Sequence, residues 1–201
     1  MNRFMKNKWL WHGLMLFMLA GIFYTCKGDE EIVSPEEEFP KEVSEAKTWF
    51  ESKAKDGTLL WNHSDGKNVL LTPNWKKAFS NENATNKVTE APLNGAEQNT
   101  MNTSECMEKY QKTKDKRYLA WTIRLVIRTN KETKATDGFI MVAYPDLKYL
   151  EAHIDNPLKD FTFLKCPSDF GGMVIFYNMD GEFSNGWVYI EGAVYPLIMG
   201  N

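Results

Sequence analysis

The 201 residues carry 24 basic and 27 acidic side chains, a formal charge of −3, and 43% of them are hydrophobic. That length allows one domain of ordinary size plus a tail, and the acidic balance disfavours nucleic acid and anionic headgroups, since both demand a basic face. The sequence has no Walker loop, HExxH or GxSxG, so the common signatures of nucleotide, zinc-protease and serine-hydrolase chemistry are missing.

The chain starts with Arg3, Lys6 and Lys8, runs through an almost wholly apolar stretch from Trp9 to Tyr24, and turns acidic directly after Thr25-Cys26. A charged start, a short apolar core and an abrupt polar stop mark a secretory signal peptide, and the core is shorter than the roughly 20 residues of a comfortable membrane span. On the residues alone, an uncleaved anchor and an ordinary signal peptide compete with a lipidated one. The cysteine closing the apolar run resembles the lipobox of bacterial lipoproteins, which implies removal of residues 1–25 and acylation of Cys26 as the first mature residue. Lys27-Gly28-Asp29-Glu30-Glu31 is similar to the export signal of surface lipoproteins in Bacteroidetes. That resemblance implies a lipid-anchored place in the outer membrane, with its periplasmic and surface faces as alternatives. Without residues 1–25 the chain holds 21 basic against 27 acidic side chains, a charge of −6. Membrane attachment then rests on acyl chains at Cys26, of which more than one is needed.

Residues 26–40 are acidic, contain Pro35 and Pro40, and lack apolar periodicity, the composition of a tether. Pro40 suits a first helical residue, with Glu42 and Glu45 placed for a helix N-terminus. Val43, Ala46 and Phe50 recur at helical spacing and Trp49 widens the stripe, which predicts a helix over 40–54 stopped by Asp56-Gly57. Its apolar face needs a sheet to bury it. Short strands are expected at 58–61 and 69–72 around His63-Ser64-Asp65-Gly66, then a helical turn at 73–79, a loop at 81–86, a strand at 87–93 and a polar stretch to Glu105.

From Tyr118 the strand signal strengthens. Leu119, Trp121, Ile123, Leu125 and Ile127 alternate with Ala120, Thr122, Arg124, Val126 and Arg128, a period of two. A charged loop at 129–138 leads into an apolar strand at 139–144, an antiparallel pair whose second member is the more central. A helical turn from Asp146 to Glu151, a loop at 155–160 and a strand at 161–164 come next. The C-terminal part reads as a meander of strands at 173–177, 182–190 and 193–198, joined at Asp180-Gly181 and Glu191-Gly192, with no second domain expected after it. The expected fold is α+β over 41–201: one main N-terminal helix packed on a mostly antiparallel sheet, cystatin-like, with a β-sandwich or partial barrel as the alternative.

Trp49-Phe50, Pro73-Asn74-Trp75, the Arg124–Arg128 strand, Gly138-Phe139-Ile140-Met141 and the closing Asp180-Gly181 hairpin are similar to segments of Bacteroidetes lipoproteins. The resemblance covers most of the chain after the signal region and implies origin and location, without an activity. Tyr177 before Gly181 and Tyr189 before Gly192 also resemble the Tyr/Gly hairpin repeats of bacterial secreted proteins.

Phe183, Trp187 and Tyr189 are expected on one face of the long hairpin strand, Val188 and Ile190 on the other, and Tyr195 on the next strand. The aromatic row is either an exposed surface for a sugar or a partner protein, or core covered by the 40–54 helix. Trp61 and Trp75 lie in loop-rich sequence and are further binding candidates. His63-Ser64-Asp65 and His153-Ile154-Asp155 each place a carboxylate two residues from a histidine, but without a third clustered ligand they predict no metal site, and no cofactor is expected. Those histidines with nearby carboxylates, or a cysteine paired with His153, would carry the alternative of a small envelope hydrolase. With Cys26 acylated, Cys106 and Cys166 are either a disulfide formed outside the cytoplasm or two separate buried thiols. The leading expectation is an envelope lipoprotein whose domain binds a glycan or a protein partner without catalysis. A structural subunit of an envelope assembly is the third reading.

Overall fold

A computed structural model describes residues 39–62, 68–96 and 102–198. The signal region, most of the tether, Cys26 and His63 lie outside the described residues. Helix α1 (Lys41–Lys53) begins behind Pro40 and buries Val43, Ala46 and Phe50, one helical face. It ends where Ala54 turns extended and Asp56 and Gly57 take positive φ, 59° and 64°, a conformation no right-handed helix continues.

The described residues hold nine strands: β1 (Leu59–Asn62), β2 (Asn68–Pro73), β3 (Phe79–Glu82), β4 (Asn86–Asn94), β5 (Thr122–Asn130), β6 (Thr136–Pro145), β7 (Gly172–Tyr177), β8 (Phe183–Ile190) and β9 (Ala193–Pro196). All pair antiparallel in the order β1-β2-β4-β5-β6-β7-β8-β9, and β3 joins β4 beside β2. The fold is α+β and dominated by this one strongly curled sheet, half of a barrel.

Pro92 explains why β2 and β3 are two strands. It sits inside β4, and its carbonyl accepts from Asn74 N–H at 2.8 Å, so its ring nitrogen faces the β2–β3 side with no proton to donate. At that point the neighbouring chain leaves the ladder in the tight turn Trp75–Lys77 and rejoins as β3.

The curl is read from Trp61 and Tyr177. Their strands, β1 and β7, are five pairings apart, about 24 Å in a flat sheet. Yet the rings touch edge to face with centroids 5.8 Å apart. The sheet therefore has an inner face, on which Ile123, Leu125, Ile127, Ile140, Val142, Tyr144, Ile175 and Tyr177 form one core with Trp61, Leu71 and Phe50. Helix α1 lies against this face, and its Trp49 is seated on Gly138, where a Cβ would come within 2.7 Å of the indole. Tyr144 stacks on Trp121 at 5.7 Å and 14°, and its phenol is buried with no hydrogen-bond partner among the described residues. Burial, and then the Tyr177 phenol beside it, pushes the pKa of Tyr144 well above the ordinary phenol range.

The outer face carries a second core of Val88, Val126, Met141, Ala143 and Val174, covered by Tyr149 from helix α3 (Leu147–Ala152) and by Phe161 and Phe170 from the segment that follows it. That segment is expected to include a strand at 161–164, but it forms turns with a single bridge between Thr162 and Lys165. Its attachment is polar. Glu90 is fully buried on β4; its Oε2 accepts from Arg124 Nη1 at 2.9 Å and its Oε1 from Phe163 N–H at 2.9 Å. The same Arg124 nitrogen donates to the Phe161 carbonyl at 2.8 Å.

Three further expectations change. The loop predicted at 129–138 shrinks to the turn 131–135 because β5 and β6 pair up to Thr129 and Thr136. Residues 119–121 precede β5 instead of starting it. Helix α2 (Ser104–Thr113) occupies part of the predicted polar stretch, capped by the Thr103 hydroxyl, which accepts from Cys106 N–H at 3.3 Å. Glu90→Ala leaves Arg124 buried without its counter-ion and frees the Phe163 amide, so it is expected to lower unfolding free energy by about 3–5 kcal/mol, measured by urea titration. A loss under about 1 kcal/mol would show that the pair fastens nothing.

Candidate functional site

The binding residues expected from the sequence part company in the structure. Trp61 is core at 1% exposure, so the expectation of a surface tryptophan there is corrected: the curl of the sheet buries it against Tyr177. Trp75 is half-buried, 5.8 Å from the ring of Phe50, in the turn that replaces the missing ladder. Phe183 does not share a face with Trp187 and Tyr189. A β-bulge between Phe176 and Tyr177 pairs Phe176 with Asn185 but Tyr177 with Phe183, which leaves Ser184 as the extra residue and turns Phe183 to the inner face. Helix α1 covers that inner face, so neither Trp187 nor Tyr189 lies beneath it. Tyr189 is half-buried on Phe170 at 5.4 Å, and Tyr195 is 53% exposed on β9, paired with Val188.

Trp187 is the residue that reaches a cleft. It is 38% exposed and forms one wall of a concavity of about 470 Å³ on the outer face. Phe139 on β6 and Phe176 on β7 make the floor, edge to face at 5.7 Å. Phe163 closes the side, 5.2 Å from Phe139 and 6.1 Å from Phe176, held there because its amide is tied to Glu90. The bulge delivers Ser184 and Asn185 to the opposite rim, and neither side chain has a hydrogen-bond partner among the described residues. Asn178 also lines the cleft, but its Oδ1 accepts from the amides of Asp180 and Glu182, so it is committed to the β7–β8 turn.

Arg128 and Asp137 lie at the far end as a two-pronged pair: Nε donates to Oδ1 at 3.0 Å and Nη2 to Oδ2. The Asp137 carboxylate raises the pKa of Arg128, and the guanidinium lies 5.9 Å over the Phe139 ring. Arg128 Nη1 makes no hydrogen bond within the described residues and stays available to a ligand. Aromatic walls with a few convergent polar groups are the make-up of a small-molecule site.

A larger groove of about 670 Å³ runs between α1 and strands β3 to β6, with Trp49, Ala46 and Ile127 on its floor. Its hydroxyls pair with one another, and two of its carboxylates face lysines beside it. Ser80 and Thr89 share a hydrogen bond of 2.8 Å, Thr129 and Thr136 one of 2.9 Å, Glu45 faces Lys41 at 3.8 Å, and Glu82 faces Lys131 at 3.1 Å. Size alone does not make it the better site: Glu42, Asn81 and Lys87 also lack side-chain partners among the described residues, but Trp49 is the one aromatic residue lining it, against Trp187 and three phenylalanines in the smaller cleft.

His153 stands on the same outer face, with Nε2 2.8 Å from Asp169 Oδ2 and its ring 4.5 Å from Tyr149. This hydrogen bond holds the Asp169 carboxyl below the usual range. Cys166 shares a hydrogen bond with Tyr189, and burial pushes its thiol pKa up, the opposite of what an activated nucleophile needs. No group of three His, Cys, Asp or Glu able to hold a metal occurs among the described residues. Cys106 and Cys166 are both free thiols, the first buried on α2 near the Pro145 carbonyl and the second exposed. No helix among the described residues is long and apolar enough to cross a membrane.

Comparison with protein-family models, curated proteins and solved structures finds no match to this chain. In the purified protein Cys166 is expected to react with a maleimide within minutes and Cys106 only after unfolding; the Cys166→Ser variant should lose the fast phase. Two thiols unreactive until a reductant is added would mean a disulfide instead.

Proposed function

We propose that this protein is a cell-envelope lipoprotein, held in the outer membrane by acyl chains on Cys26, whose domain binds a glycan without catalysis. The cleft walled by Trp187 carries the reading. A sugar ring offers an apolar face of C–H groups and a rim of hydroxyls, and it needs an aromatic plane beside side chains that both donate and accept. Trp187 and the three phenylalanines supply the plane, while Asn185, Ser184 and the Arg128–Asp137 pair supply the rim. The anchor rests on the lipobox-like Thr25-Cys26 and the acidic tether after it. We also read α1 across the inner face of the sheet as a cystatin-like helix-on-sheet arrangement.

A protein partner is the second reading, favoured by one observation. Of the seven exposed large hydrophobic residues among those described, five lie on the β8–β9 hairpin and the residues after it, Trp187 and Val194 on its outer face and Ile190 and Tyr195 on the opposite one. An edge hairpin apolar on both faces is unusual unless a partner covers it.

Cys26→Ala is expected to leave the precursor unprocessed or to release the protein from the membrane fraction; a variant processed and membrane-bound like the wild type would overturn the anchor. On a glycan array the detergent-solubilised protein is expected to bind, and Trp187→Ala to weaken binding by about tenfold, or 1.4 kcal/mol. If no glycan is captured, the cleft is not a sugar site and the β8–β9 surface takes its place.

A further inference from the structure

The aromatic cleft does not end at Arg128 and Asp137. The same pair forms one wall of a second, polar notch of about 380 Å³, lined beyond them by Asn86, Asn130 and Thr133. Trp187, Phe176, Phe139, Arg128 and Asn86 sit on the outer face of β8, β7, β6, β5 and β4 in turn, so the two hollows form a track across five neighbouring strands. Each of these residues lies two positions off the register partner of the one before it, so the track runs obliquely: it crosses about 19 Å of strand spacing and is longer than that overall, well beyond one sugar ring.

The notch is equipped for hydrogen bonding. Asn86 and Asn130 are register partners on β4 and β5. Asn130 Oδ1 accepts from the amides of Glu132 and Thr133, both at 2.9 Å, which leaves its Nδ2 protons free. Asn86 Nδ2 donates to Thr85 Oγ1 at 2.9 Å, which leaves its Oδ1 free. A free donor beside a free acceptor is the pattern that two adjacent hydroxyls satisfy. Arg128 and Asp137, where the hollows meet, cancel each other's charge, so a carboxylate or sulfate there gains from one and loses to the other.

We propose that the site has two subsites and that its ligand is a neutral, linear oligosaccharide, one ring on Trp187 and a later ring over Asn86 and Asn130, with the Arg128–Asp137 pair beneath the linkage between them. This rests on the glycan reading above and adds length and charge to it.

The test is an array of linear glucans, mannans, xylans and galactans, each printed from one to six rings beside uronic-acid chains, probed with the full chain in detergent. At least one neutral series should gain signal steeply as it lengthens from one ring to six and exceed the uronic-acid chains. Asn130→Asp keeps the acceptor that holds the turn and removes the free donor. It should weaken the six-ring ligand by about threefold to tenfold, leave the shortest bound ligand unchanged, and unfold at the wild-type temperature. Trp187→Ala should weaken every length. A profile flat with length, with Trp187→Ala still deleterious, overturns the two-subsite track and leaves the glycan reading standing. Preference for the uronic-acid chains overturns the neutral ligand, and no binding to any series overturns both proposals.

Discussion

The outer half of the molecule depends on one buried ion pair. Glu90 and Arg124 sit on neighbouring strands of the sheet, and stripping both of water is costly unless every remaining lone pair and proton is met. Here Glu90 answers two donors, one on Arg124 and one on the Phe163 backbone, and Arg124 also meets the Phe161 carbonyl. A glutamine at 90 would bring one acceptor and one donor to a place that offers two donors. The charge thus does what an apolar residue of equal volume does not: it fixes the direction from which an irregular segment approaches the sheet. Phe161 drops into the outer core and Phe163 is left standing as the side wall of the cleft. Packing of the cleft wall and satisfaction of the buried charge are one event.

The inner half is arranged by curl, and curl decides which aromatics are available to a ligand. Closing β1 toward β7 puts Trp61 in the core and surrounds Tyr144 so completely that its phenol finds no partner among the described residues. An unpaired buried hydroxyl costs about 1–3 kcal/mol, which stacking on Trp121 offsets only in part. Helix α1 then seals the open side, its Trp49 taking the space that Gly138 leaves. Trp61, Tyr144 and Tyr177 on the inner face are consumed by this closure, whereas the outer face keeps Trp187 and three phenylalanines together as the wall of a cleft.

These assignments were legible in the sequence to different depths. Helix α1 could be read because Val43, Ala46 and Phe50 hold a helical period, and β5 and β6 because an alternating strand followed by an apolar one has few other solutions. Helix α2 could not. It buries a single residue completely, Cys106, and it ends at Lys114 in the left-handed conformation where a glycine would have signalled a stop. The strand at 87–93 could be read despite Pro92, but only the Asn74 contact reveals that the neighbouring strand breaks to suit the proline. Trp187 was legible as a candidate, but Phe139, Phe163 and Phe176 were not. Two of them sit in strands that read simply as apolar, and the third owes its place to the buried Glu90, 73 residues away in sequence. Phe183 was misplaced because a period of two cannot foresee an extra residue in the strand.

The departures from regular structure converge on one place. The bulge at Ser184, the buried Glu90, the strandless segment around Phe163 and the Arg128–Asp137 pair each break or burden the local pattern, and all but Glu90 contribute a residue to the cleft. The inner groove, though larger, is bordered by regular elements whose hydroxyls pair with each other, as a surface does when nothing else is asked of it. Irregularity costs stability and survives where another demand offsets it. A regular β8 would have carried Phe183 to the outer face and closed the rim with a phenylalanine; the bulge instead brings Ser184 and Asn185 there, two side chains without a hydrogen-bond partner among the described residues. The molecule has spent order on one face of its sheet to leave an aromatic wall and unpaired polar groups side by side.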